Sequence, residues 1–154
     1  MLLFLTRHGE TQWNRLRKTQ GTHDTCLTDL GRIQAKRLGD HLKKNQTINT
    51  VYCSDLIRAR ETAQIIGDKI AVEPISSPLI REVSFGSWEG LSTQEIEERY
   101  PGQLAKWRNE LTFAPEGGES LLSVHDRIDS FIKILEDKHG KNHDNILIVS
   151  HAAT

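Results

Sequence analysis

Arg7 and His8 stand directly after the apolar run that opens the chain, and His151 directly after a second apolar run, Ile146 to Ser150. An imidazole is a nucleophile near neutral pH without a neighbouring base, and it can carry a phosphoryl group covalently. Phosphoryl transfer spreads negative charge over three equatorial oxygens, so fixed donors must surround the phosphorus. The Arg7 guanidinium fork matches phosphate geometry bidentately, and Arg58, close behind Ser54 and Asp55, offers a second fork. A leaving alkoxide needs a proton. Glu82 is the candidate donor, since Phe85, Gly86, Trp88 and Gly90 follow it with apolar bulk and glycine turns that can desolvate a carboxyl. Taken singly, each residue has a plainer reading as a solvated charge, and His23, His41, His125, His139 and His143 are read as surface or satisfied histidines.

These residues gain weight from the elements that must carry them. Met1 to Thr6 and Ile146 to Ser150 read as strands buried on both faces. Thr28 caps a helix running to about Lys44, with Leu30, Ile33, Leu38 and Leu42 on its apolar stripe. Asn49 to Cys53 is a strand, after which Ser54 caps a helix bearing Leu56, Ala59, Ala63, Ile66 and Ile70. A strand around Ala71 to Ile75 sits near a sheet edge because of Pro74 and Pro78. Residues 84–119 form a helical excursion, with a Ser92–Glu95 capping box and a second short helix from Gln103 to Glu110. A last helix begins at Ser120, carries Leu121, Val124, Ile128, Phe131 and Leu135, and closes at Gly140. Strands alternating with helices predict one α/β domain over 1–154, a three-layer sandwich with a mostly parallel central sheet. Ligands gather at the carboxyl ends of such strands, where His8 and His151 fall together.

Composition narrows the partner. The 154 residues hold 20 Lys plus Arg against 21 Asp plus Glu, so the chain lacks the basic excess of a nucleic-acid binder. A small anionic ligand held by a few placed cations fits better. No apolar run approaches the length of about 20 residues that spans a bilayer, and the N-terminus does not read as a secretory signal, so no membrane partner and a cytoplasmic location are expected. Cys26 and Cys53 read as free thiols. Neither a GxxxxGK[ST] string nor an HExxH string occurs, which argues against a P-loop nucleotide enzyme and a zinc hydrolase.

The string Leu5, Thr6, Arg7, His8, Gly9, Glu10, Thr11, with Trp13 and Asn14 behind it, resembles the histidine phosphatase superfamily, the phosphoglycerate-mutase-like group. The resemblance continues through Gly21, Leu27, Thr28, Gly31 and Gln34, then Ser54, Asp55, Leu56, Arg58, Ala59, Thr62 and Ala63. It extends to Arg81, Glu82, Phe85, Gly86, Trp88, Glu89 and Gly90, to Pro115 and Gly117–Ser120, and to Val149, Ser150 and His151. It implies that His8 is the phosphorylated nucleophile, that Glu82 is the proton donor, and that Arg7, Arg58 and His151 clamp the phosphoryl group. It further implies that Asn14 adds a side-chain hydrogen bond, that Gly21 and Thr22 contact substrate, and that neither metal nor other cofactor is required. Gly117–Ser120 and the short insertion between Glu82 and His151 look more like the broad-specificity and α-ribazole phosphatase branch than the glycolytic mutases.

The expected activity is hydrolysis of a small phosphorylated metabolite. A phosphomutase, which returns the phosphoryl group to a rebound product, and a silent phosphoprotein-binding module are the alternatives; retention of both histidines, both arginines and Glu82 weighs against the second. Family members usually continue past the second histidine with a helix and a strand, and glycine is common where Ala152 and Ala153 stand. The resemblance therefore implies a chain shortened at Thr154. The oligomeric state is left open.

Overall fold

Val51, Cys53, Leu147 and Val149 point to one side of two neighbouring strands, and Tyr52, Ile146 and Ile148 to the other. Two strands apolar on both faces need helices on both faces, and the computed structural model, which describes residues 1–154, supplies them. The sheet holds β1 (Leu2–Arg7), β2 (Thr50–Ser54), β3 (Pro74–Ser77) and β4 (Asn145–Ser150) in the order β1-β4-β2-β3. All pairings are parallel. The helices are α1 (Gln12–Arg15), α2 (Asp29–Asn45), α3 (Ile57–Ile70), α4 (Thr93–Arg99), α5 (Gln103–Asn109) and α6 (Leu121–His139), with 3₁₀ turns at Pro78–Ile80 and Gly86–Trp88. Leu42 of α2 and Ala59, Ala63 and Ile66 of α3 cover one face, while Phe131 and Leu135 of α6 cover the other. The expected three-layer α/β arrangement is the one observed.

Several local expectations are corrected. The buried stripe of α2 is Gly31, Ala35, Gly39 and Leu42, whereas Leu30 and Ile33 lie exposed. Small residues are selected there because α2 packs closely: a Cβ on Gly39 would meet Lys69 and Ile66 of α3, and one on Gly31 would strike the backbone of Glu10. Ser54 does not cap α3. It ends β2, Leu56 is the cap residue, and the Asp24 carboxylate accepts from the Ile57 N–H over 2.7 Å. The β3 strand begins at Pro74, later than expected, and occupies the sheet edge where a missing N–H costs nothing. Gly140 caps the C-terminus of α6 as expected, in a right-handed conformation. The Thr11–Asn14 capping box of α1 went unread because four residues leave no apolar period. The Ser92–Glu95 box stands as expected.

Candidate active site

Parallel pairing of β1 with β4 sets Arg7 opposite Ser150, so the next residue of each strand, His8 and His151, emerges at the same rim. The His8 N–H donates to the Ser150 carbonyl over 3.0 Å, and the two imidazole centroids are 5.1 Å apart. Nδ1 of His8 lies 2.7 Å from the Gly9 carbonyl, which can only accept. That contact places the ring proton on Nδ1 and leaves a lone pair on Nε2. Nε of Arg58 approaches this Nε2 at 3.3 Å.

Burial pushes His8 down to about 4, against the hydrogen bond to Gly9 and with help from the charges of Arg58 and Arg7. His151 is pushed lower still, by burial first and then by Arg58, His8 and Arg7. Both rings are neutral at pH 7. Both ring nitrogens of His151 are buried without a protein partner, unusual for polar atoms in so enclosed a place.

Arg58 is fully buried and is held by carbonyls rather than carboxylates: Nη1 donates to His23 O over 2.9 Å and Nη2 to Gly21 O over 2.7 Å. Arg7, by contrast, is exposed and makes no side-chain hydrogen bond within the protein. Arg7 and His8 line an open cleft of about 420 Å³ with Glu10, Asn14 and Gln34, and no apolar residue contributes. The Asn14 side-chain oxygen is engaged by the Thr11 N–H and hydroxyl, at 2.9 and 3.0 Å, so the amide nitrogen is the part left for a ligand. A larger depression of about 610 Å³ adjoins this cleft at Glu10, but it carries neither histidine of the rim.

Glu82 is buried against the residues that follow His151. Its Oε1 accepts from the Val83 and Ala153 N–H groups at 3.1 and 3.2 Å, and its Oε2 from Ala152 N–H at 3.4 Å. The segment that carries it is tied down residue by residue. Arg127 reaches the Leu79 carbonyl, the Ser150 hydroxyl reaches Ile80, and Arg81 forms a two-pronged pair with Asp55. Ser84 N–H donates to Glu119 and Phe85 N–H to Glu89.

The structure thus brings Arg7, His8, Arg58, Asn14 and His151 to one rim with Glu82 close behind. Gly21 and Thr22 sit differently from the other expected site residues. The Gly21 carbonyl serves Arg58, while the Thr22 N–H and hydroxyl donate to Glu89 at 2.9 and 3.2 Å, and neither residue lines the Arg7–His8 cleft. Among the tryptophans, Trp88 is wholly buried, Trp107 packs on Phe85, and Trp13 stacks face to face on His23 with centroids 4.4 Å apart. Sequence reasoning gave no role to Asp24, whose partner Ile57 lies 33 residues away, or to Glu89, which reaches Thr22 across 67 residues.

The ends of this parallel sheet thus present Arg7 and the two histidines at one rim, with Arg58 of α3 against His8 and the buried Glu82 carboxyl against the residues that follow His151. The chain belongs to the histidine phosphatase superfamily, branch 1, whose family model matches residues 3–154. It is 40% identical over 152 residues to phosphoglycerate mutase-like protein 4 of Arabidopsis thaliana, covering 97% of this chain and 65% of that protein. Among solved structures, a mycobacterial glucosyl-3-phosphoglycerate phosphatase complexed with VO3 superposes with a TM-score of 0.89 at 32% identity, covering 97% of this chain and 74% of that one. The α-ribazole phosphatase of Shigella flexneri gives 0.85 at 32% identity, covering 98% and 74%. The chain spans 52% to 74% of the length of the curated relatives it matches, 65% and 55% in the first two. No helix is long and apolar enough to cross a membrane.

Proposed function

We propose that this protein is a phosphomonoesterase that hydrolyses small phosphorylated metabolites in two steps through a phosphohistidine on His8. In the first step Nε2 of His8 attacks phosphorus, the P–O bond to the leaving group breaks, and Glu82 gives its proton to the departing alkoxide. In the second, water attacks the phosphohistidine, Glu82 takes the proton back, the P–N bond breaks, and inorganic phosphate leaves. Arg7, Arg58, His151 and the Asn14 amide surround the phosphoryl oxygens throughout. A neutral imidazole with its lone pair beside a cation can attack an anion that the same cation draws in, with no metal needed.

The observation that carries this reading is the geometry at His8: Nδ1 is committed to Gly9 O at 2.7 Å, so Nε2 is the nucleophilic atom, and Arg58 stands 3.3 Å from it. Relatives named as phosphatases support hydrolysis. The test is turnover of p-nitrophenyl phosphate between pH 5 and 8 with EDTA present, in the wild type and in His8→Ala. EDTA-resistant hydrolysis that disappears in the variant is expected. Hydrolysis that survives in His8→Ala overturns the reading, and a stoichiometric burst followed by near-arrest points to a mutase, whose phosphoenzyme resists water.

A further inference from the structure

We infer that Glu89 is a positioning residue for phosphoryl binding, acting on Arg58 through the Gly21–Thr22 loop. The inference rests on the proposed phosphohistidine chemistry. Arg58 has no carboxylate to fix it; two of its three polar contacts go to the carbonyls of Gly21 and His23. A guanidinium anchored on loop carbonyls is only as well placed as the loop. Glu89 is what fixes that loop against its neighbour, because Oε1 alone accepts from the Thr22 N–H, the Thr22 hydroxyl and the Phe85 N–H, at 2.9, 3.2 and 3.1 Å. Phe85 is three residues beyond Glu82, so one carboxylate oxygen joins the loop that aims the cation to the segment that carries the acid.

The local backbone is shaped around this contact. Gly21 has φ of +54°, and a Cβ there would run into the Glu89 carboxyl. Next to it, the Gly90 N–H donates to Thr19 O and the Thr19 N–H to Leu91 O, zipping the two segments together just beyond Glu89. The loop's other end is fixed independently, by Asp24 on the Ile57 N–H and by the stack of His23 on Trp13. Burial weakens the hold of Arg58 on its proton, and nearby carboxylates, Asp24 and Glu89 among them, oppose that effect.

Reach and charge separate the mechanism from a general structural role. Glu89→Gln keeps an oxygen at the same reach and loses the charge; Glu89→Asp keeps the charge and falls one methylene short. Calorimetric binding of inorganic phosphate and turnover of p-nitrophenyl phosphate are measured for both, for Glu89→Ala, and for His8→Ala. Glu89→Asp and Glu89→Ala are expected to lose roughly tenfold or more in kcat and in phosphate affinity, while Glu89→Gln stays within about threefold of wild type. Glu89→Asp matching wild type while Glu89→Gln fails would overturn the inference in favour of charge alone. So would variants that melt earlier yet keep both readouts, and the Asp and Gln pair decides even where Glu89→Ala does not fold. Turnover that persists in His8→Ala removes the phosphohistidine reading itself, whereas its loss there alongside unaffected Glu89 variants removes only this one. Phosphate affinity reads the loop's effect on Arg58 even where turnover is absent.

Discussion

Arg58 and His8 touch before any substrate is present: the guanidinium Nε–H lies 3.3 Å from the imidazole Nε2 that would attack phosphorus. The contact orients the lone pair and stations a cation where charge will develop, without the cost of reorganising at the moment of reaction. An arriving phosphoryl oxygen can take over this donor while the carbonyls of Gly21 and His23 keep the guanidinium in place.

Replacing Arg58 should therefore cost more than one charge. Arg58→Ala is expected to lower kcat/KM by about 10²- to 10³-fold, the range for removing a preorganised donor to developing charge. Arg58→Lys should recover little, because an ammonium cannot serve two carbonyls and Nε2 with one planar fork. Steady-state kinetics on p-nitrophenyl phosphate check this, and an Arg58→Lys variant near wild-type efficiency would refute it.

Glu82 should matter in proportion to how badly the leaving group needs a proton. A p-nitrophenolate departs near neutral pH largely unaided, whereas an alkoxide does not. Glu82→Gln is expected to slow glycerol 2-phosphate hydrolysis by roughly 10²- to 10³-fold and p-nitrophenyl phosphate far less, within the usual span of general-acid effects. Equal losses on the two substrates would assign Glu82 to positioning and not to proton transfer.

The rim histidines were legible in the sequence because an apolar run marks where each strand stops, and the parallel sheet brings those stops to one edge. His8 and His151 followed from that alone. The partners of Arg58 were not legible, since carbonyls of Gly21 and His23, 37 and 35 residues away, leave no side-chain signature. The inward face of α2 was misread for a related reason. Its contact residues Gly31, Ala35 and Gly39 are selected for closeness rather than hydropathy, so the stripe appeared to run through Leu30 and Ile33, which are 49% and 45% exposed. The need for a carboxylic acid followed from the chemistry, but the choice of Glu82 over neighbouring acids rests mainly on the family pattern and the role of Asn14 wholly on it, because one carboxylate or amide among many has no distinguishing spacing.

At the opposite end of the sheet Tyr52, His139 and Asp144 form a hydrogen-bonded line, with Tyr52 Oη 3.1 Å from His139 Nε2 and His139 Nδ1 2.7 Å from Asp144. The His139 hydrogen bond holds the Asp144 carboxyl below the usual carboxylate range. An acid depressed in the folded state contributes stability above its unfolded pKa, and that contribution is lost as pH falls through the folded value. Asp144→Asn should lower the melting temperature at pH 7, with the deficit closing in strong acid. Tyr52→Phe should cost about 1 kcal/mol, the net worth of a typical hydrogen bond. Turnover should be unchanged in both, since the line lies away from the rim; thermal melts and p-nitrophenyl phosphate assays on the same preparations test the pair of claims.

Mild acid should destabilise the protein through the rim itself. An unfolded chain protonates its histidines below about 6.5, but folded His8 resists until about 4 and His151 beyond that. Between those values the unfolded state binds more protons, so stability falls as pH falls, by up to roughly 1.4 kcal/mol per unit for each histidine. From pH 7 to pH 5 each ring should contribute a loss of about 2 kcal/mol, and His8→Ala should remove one share of it. On the proposed chemistry inorganic phosphate binds the folded rim and not the unfolded chain, so it should restore part of the stability at pH 5 in the wild type. Urea melts at the two pH values, with and without phosphate, make the comparison. An equal decline in His8→Ala and wild type would mean that His8 is not the neutral buried imidazole on which nucleophilic attack depends.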